Sequence, residues 1–144
     1  MRNVQRGFTL IEIMVVVVIL SVLGALVVPQ IIDKVDVAKV KRAQSDIRAI
    51  ETALDLYRLD NFKYPTTEQG LLALVKQPVD PTITNYNSSG YLKSLPKDPW
   101  GNVYQYTSPG TNGREYEIAT YGRDGKPGGA GYDADISTAT LDQK

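Results

Sequence analysis

Hydrophobic positions follow two regimes in the first half of the chain. From Phe8 to Val28 they form a nearly unbroken run, FTLIEIMVVVVILSVLGALVV, 21 residues whose one ionisable group is Glu12. As a helix rising 1.5 Å per residue, such a run is roughly 30 Å long, about the hydrocarbon thickness of a bilayer. From Gln30 to Asn61 apolar residues recur at spacings of three and four instead. Ala43, Ile47, Ile50, Leu54 and Tyr57 form one stripe, with Lys41, Arg48, Glu51, Asp55 and Arg58 opposite. That period predicts an amphipathic helix whose stripe covers the rest of the domain. Pro29 cannot donate to the helical ladder and is expected to kink or locally open the helix, with Gly24 adding slack. The two regimes otherwise read as one helix from Phe8 to Asp60.

The second half lacks a long period. Thr66 and Gln69 have capping-box spacing, and Gly70 to Lys76 reads as a short helix ended by Pro78. Pro78 to Gly90 is turn-rich and read as a loop. Short strands are expected at Tyr91-Leu92, Val103–Tyr106 and Tyr116–Tyr121, separated by Pro/Gly turns. The fold class is therefore α+β, a long N-terminal helix on a small antiparallel sheet. Nine Tyr against two Phe suit a thin sheet, because a tyrosine ring covers apolar surface while its hydroxyl stays wet. Trp100, in the rigid turn Asp98-Pro99-Trp100-Gly101, reads as a core anchor, with contact to an exported protein as the alternative.

Length and charge narrow the function. A chain of 144 residues supports one modest core. Sixteen basic against sixteen acidic residues argue against a nucleic-acid partner. Without Cys or His the chain has no thiolate, disulfide or imidazole chemistry, and no catalytic site is assigned. Arg2 and Arg6 precede the apolar run with no acid among them, which places the N-terminus in the cytoplasm and the remainder across the membrane. The run is longer than a secretory h-region and no small-x-small site follows, so an uncleaved signal anchor is the plainest reading. Lys34, Lys39, Lys41 and Arg42 then lie just outside the membrane, facing headgroups, acids of neighbouring subunits, or simply solvent. A signal anchor does not account for Glu12, since a charge costs about 2.5–3.5 kcal/mol at the centre of a membrane helix and less near its end.

Gly7-Phe8-Thr9-Leu10-Ile11-Glu12 followed by an apolar stretch resembles the class III signal of the type IV pilin superfamily. The resemblance implies cleavage by a prepilin peptidase after Gly7, methylation of the new N-terminal Phe8, and intersubunit pairing of the Phe8 amine with Glu12 in a filament. Each charge then offsets the burial of the other. Loss of Arg2 and Arg6 leaves 14 bases against 16 acids, a net charge of −2. Tyr64-Pro65-Thr66-Thr67-Glu68-Gln69-Gly70, Leu95-Pro96-Lys97-Asp98-Pro99-Trp100-Gly101 and Gly122-Arg123-Asp124-Gly125 through Asp133-Ala134-Asp135-Ile136 are similar, in order, to the major pseudopilins of type II secretion systems. The tail departs from that pattern: Ile136 is followed by Ser137-Thr138-Ala139 where the family commonly has Gly-Asn-Trp.

Between Tyr121 and Ile136 three carboxylates, Asp124, Asp133 and Asp135, sit among glycines. Hard oxygens on a pliant backbone suit Ca²⁺, although the spacing is not that of an EF-hand and no closing Glu is present. Residue types alone favour a solvated acidic turn; the resemblance favours a structural Ca²⁺. Asp124 and Asp135 align best with the family ligands, with Asp133 and the backbone carbonyls of Tyr121 and Lys126 as further candidates.

These readings divide the chain into a leader (1–7), a membrane or filament-core helix (8–28) and a periplasmic pilin-like α+β domain (29–144). The function they imply is the major structural subunit of a type II secretion pseudopilus, a homopolymer that drives folded proteins across the outer membrane. Implied partners are minor pseudopilins, the inner-membrane assembly platform, the prepilin peptidase and the inner membrane. A surface type IV pilus subunit is the first alternative, although a chain without cysteine cannot form the C-terminal disulfide loop of many such pilins. A monomeric, signal-anchored calcium-binding protein is the second.

Overall fold

The three-and-four spacing of Ala43, Ile47, Ile50, Leu54 and Tyr57 is realised as a row of side chains with no solvent exposure. The computed structural model describes residues 7–142, apart from the side chains of residues 26–33 and 112. The row belongs to helix α1, Leu10–Asn61. The expected leader segment Met1–Arg6, with Arg2 and Arg6, lies outside the described residues. The chain divides into two units between Asp36 and Val37.

In the first unit α1 exposes Leu10, Ile11, Ile13, Met14 and the run Val15–Leu20. Among the described residues no helix is long and apolar enough to cross a membrane. The expected span Phe8–Val28 ends in residues 26–28, whose side chains lie outside the described set. The helical backbone continues through Pro29, where a kink or local opening was expected.

In the second unit the buried face of α1 packs with Leu74, Ile83, Tyr104, Tyr106, Ile118 and Ile136 into one core. The sheet is three-stranded and antiparallel, in the order β1 (Gln105–Thr107), β2 (Glu117–Thr120), β3 (Ile136–Ser137). Tyr106 pairs with Ile118, and Thr120 with Ile136, so alternation delivers Tyr106, Ile118 and Thr120 to the buried side. A short helix α2, Thr138–Leu141, follows β3 directly.

Several expectations change. Tyr91-Leu92 is not a strand; both backbone N–H groups donate to the Leu74 carbonyl, at 2.7 and 2.9 Å, and so bond the 3-10 turn Leu71–Leu74. The short helix expected over Gly70–Lys76 is present in that 3-10 form. The Thr66/Gln69 capping box is present, with Thr66 N–H donating to Gln69 Oε1 at 3.0 Å and Gln69 N–H to Thr66 Oγ1 at 3.2 Å, but it closes a turn. Val103 forms only an isolated bridge with Lys97, and the third strand lies at Ile136–Ser137. In the divergent tail, Ser137 and Thr140 form a reciprocal capping box, and Arg114 pairs with Asp142 at 2.6 Å. Trp100 is partly buried against the core, as an anchor, with its indole N–H unpartnered.

Tyrosines close the core and tie its rim. Tyr104 donates to Asp46 Oδ2 at 3.2 Å, Tyr91 to Asp60 Oδ2 at 2.9 Å and Tyr106 to the Pro65 carbonyl at 2.8 Å. The Tyr57 hydroxyl is buried without a partner, and burial pushes its pKa up to about 12.

The loop after Pro78 is pinned by Asp80. Its carboxylate accepts from Thr82 N–H at 2.8 Å, from Gln69 Nε2 at 3.1 Å and from Lys63 Nζ at 3.2 Å. The Thr82 hydroxyl and amide, then Lys63, hold the Asp80 carboxyl well below its ordinary value of 3.8. A depressed carboxylate adds stability that is complete above the ordinary value and fades as pH falls toward the folded one. Asp80→Ala is therefore expected to lower Tm at neutral pH, with the gap from the unmodified chain closing below about pH 4. Melting curves from pH 2 to 7 check this; a gap constant across that range would exclude it.

Candidate functional site

Two regions carry the expected chemistry. At the start of α1, Thr9 and Glu12 form a capping box of their own. Thr9 N–H donates to Glu12 Oε2 at 3.2 Å, while Glu12 N–H donates to Thr9 Oγ1 at 3.3 Å. This satisfies two donors that the helix leaves open and places a carboxylate at the positive end of the macrodipole. Thr-x-x-Glu before an apolar run is a sequence signature of this arrangement, and reading Glu12 only as a charge in a membrane helix overlooked it. Phe8 is largely exposed. Among the described residues a Cβ built on Gly7 would meet nothing within 4 Å.

The second region is the loop from Tyr121 to Ile136, which leaves the end of β2 and returns as β3. Gly122 and Gly129 let three backbone strands approach one another. A Cβ on Gly129 would lie 2.3 Å from the Asp133 carbonyl oxygen, and one on Gly122 would lie 2.8 Å from that of Ala134. Both have positive φ, 66° at Gly122 and 87° at Gly129, a region that side chains strain to occupy. The Arg123 amide donates to the Tyr132 carbonyl at 3.1 Å and closes the loop.

The three aspartates take different places. Asp124 Oδ1 accepts the Lys126 amide at 3.1 Å, a local turn. Asp133 is held by the Arg123 guanidinium through two bonds, 2.8 Å from Nε and 3.2 Å from NH2. That ion pair was not anticipated, since Asp124, next to Arg123 in the chain, is the nearer carboxylate in sequence. Asp135 Oδ2 accepts the Gly128 amide at 2.9 Å. Its other oxygen, Oδ1, is buried with no hydrogen-bond partner among the described residues. Among the described residues no three acidic side chains converge as a metal cluster. A metal here would therefore draw on Asp124, Asp135 and backbone carbonyls, with Asp133 engaged by arginine.

A family model described as type II secretion system (T2SS), protein G matches residues 30–139. The chain belongs to the type II secretion system protein G family. Residues 2–28 separately match the prokaryotic N-terminal methylation motif. Type II secretion system core protein G of Pseudomonas aeruginosa is 60% identical over 136 residues, covering 94% of this chain and 95% of that protein. The Vibrio cholerae protein of the same name is 54% identical over 132 residues, covering 92% and 90%. The crystal structure of the major pseudopilin from the type 2 secretion system of enterohaemorrhagic Escherichia coli superposes with a TM-score of 0.67 at 46% identity. It covers 75% of this chain and 88% of that one. The fold of this protein G family member is thus type IV pilin-like, and its function is that of a major pseudopilin.

The glycine geometry of the loop is directly testable. Gly129→Ala drives a Cβ into a backbone carbonyl and is expected to cost about 3 kcal/mol or more. Gly125→Ala, also at positive φ but with only the Asn102 side chain 3.5 Å away, should cost about 1 kcal/mol. Denaturant unfolding of the two variants checks the ranking, and equal losses would contradict the close approach.

Proposed function

We propose that the bond between Gly7 and Phe8 is cut by a prepilin peptidase and the new Phe8 amine methylated, and that the mature chain polymerises into a periplasmic pseudopilus. The observation that carries this reading is the exposed apolar start of α1 with one carboxylate, Glu12, in its first turn, in a member of the protein G family. A glycine at position 7 that packs against none of the described residues suits recognition by a peptidase. Before assembly the apolar helix is held in the inner membrane, with the N-terminus cytoplasmic and residues 29–144 periplasmic. Neighbouring copies then replace lipid around it.

In this reading Glu12 has two successive partners. It caps its own helix through Thr9 in the single chain. In the filament, the Phe8 amine of a neighbouring copy neutralises it as both leave water, which favours the one register that pairs them. The growing filament pushes folded proteins toward an outer-membrane channel, and the platform and minor pseudopilins supply its base and tip. Family membership favours this role over a surface pilus or a monomeric calcium-binding protein.

The glycine loop is proposed to hold Ca²⁺ as a structural ion. The fit rests on Asp135 Oδ1, since a buried carboxylate oxygen without a donor is costly unless a cation satisfies it. Asp124 and Asp135 would hold the ion, with carbonyls near Tyr121 and Lys126 and with Asp133 orienting the loop through Arg123. Binding only the closed loop, the ion adds to folding stability by mass action.

A deletion strain complemented with the unmodified chain, Glu12→Ala or Asp124→Ala tests the function. Both variants are expected to leave exported enzymes in the periplasm while surface pili persist. Normal secretion with lost surface fibres would overturn the reading. For the ion, calcium at a hundred times its Kd should raise stability by about 2.7 kcal/mol, and Asp135→Ala should abolish that gain. Melting curves with calcium or chelator check it, and a chain indifferent to calcium would contradict the site.

A further inference from the structure

The end of α1 presents an aromatic ring where the backbone favours none. Phe62 follows the last helical residue, its N–H donating to the Arg58 carbonyl at 2.7 Å, and its φ is 60°. This left-handed position after a helix is the place of glycine or asparagine. The Phe62 side chain is 84% exposed, so its own domain gains nothing from the ring. Leu59, 71% exposed, lies beside it, and with Asp55 and Arg58 the two border a shallow hollow. Strain and exposed apolar area together point to a partner outside the chain.

A second apolar surface lies elsewhere on the same domain. Leu72, Ala73, Pro78 and Val79 line an open groove of about 340 Å³. Cavities of about 150 Å³ hold a benzene ring, so this groove has room for a phenyl group and a leucine. Val79 stands entirely free of its own domain. Charges border both surfaces. Arg58 is engaged by Glu115 at 2.6 Å, while Asp55 accepts only the Tyr64 hydroxyl and has no ion pair among the described residues. At the groove, Lys76 likewise has no ion pair among the described residues, and Glu68 lies further along.

Resting on the polymer reading above, we propose that Phe62 and Leu59 of one subunit seat in the Leu72–Val79 groove of a second copy, with Asp55 against Lys76 and Glu68 toward Arg58. The two surfaces share no residue, so the contact is heterologous. Each copy offers both halves, and such a contact continues from copy to copy as an open filament. Lipid or an exported protein would have no reason to match the charges on both surfaces.

The chain contains no cysteine, which makes the contact directly readable by cross-linking. Filaments of a Phe62→Cys/Val79→Cys double variant, mildly oxidised, are expected to give a ladder of dimers, trimers and longer products on denaturing electrophoresis. Each single variant should remain monomeric. Both sites are exposed, so the substitutions leave the core intact. As a second measurement, Asp55→Lys is expected to lower filament yield about fivefold, with Lys76→Glu added to it restoring the yield. Filaments of the double variant that stay monomeric on oxidation, or a Phe62→Cys single variant that dimerises equally well, would overturn the inference alone. Failure of the unmodified chain to form filaments would overturn the polymer reading and the inference with it.

Discussion

The contact between the row Ala43, Ile47, Ile50, Leu54, Tyr57 and the small sheet is the interaction on which the folded domain depends. The sheet is too narrow to fold alone, with strands of three, four and two residues. The helix in turn needs an apolar surface to cover its stripe, since most helical stability in proteins comes from such packing. Ile118 and Leu74, both without solvent exposure, complete the contact from the sheet and from the turn that follows α1. Tyrosine suits this thin layer. Its ring fills the core and its hydroxyl reaches Asp46, Asp60 or the Pro65 carbonyl at the edge.

One face of α1 is satisfied in this way from Ala43 onward, but its apolar start is not. Phe8 to Leu23 expose large apolar side chains on every side, which no helix of a self-sufficient domain does. A membrane or a bundle of identical helices would cover them. The exposed pair Leu59 and Phe62 poses the same problem on a smaller scale at the other end of the helix. In both places the chain leaves surface that a second copy can bury, and in both a carboxylate, Glu12 or Asp55, sits close by.

What the sequence disclosed and what it hid follow from the range of the interactions. The long helix and its buried face were legible because periodicity over thirty residues is a local signal repeated many times. At Pro29 the backbone stays helical, since a helix tolerates the loss of one ladder bond when the flanking turns persist. The strand at Ile136–Ser137 was missed because two residues carry no pattern, and only pairing with β2 makes them a strand. Tyr91-Leu92 has the composition of a strand, but its amides bond to Leu74 instead, a choice made by tertiary contact. In the loop, carboxylates and glycines were visible as types. That Asp133 is held by Arg123 while Asp135 keeps a bare buried oxygen depends on three-dimensional closure around Gly122 and Gly129. The Thr9–Glu12 box is a local signal, Thr-x-x-Glu before an apolar run, and is legible in the sequence.

The central claim is that the apolar start of α1 is completed by copies of the same chain, with Glu12 passing from its own helix cap to a neighbour's amine. A reconstruction of filaments of the mature chain, at a resolution that shows side chains, tests it most directly. The account predicts the Phe8 nitrogen within ion-pair distance of a neighbouring subunit's Glu12, about 4 Å, and residues 8–25 enclosed by other helices. Glu12 still bonded only to its own Thr9, with the apolar run facing solvent in the filament, would contradict it.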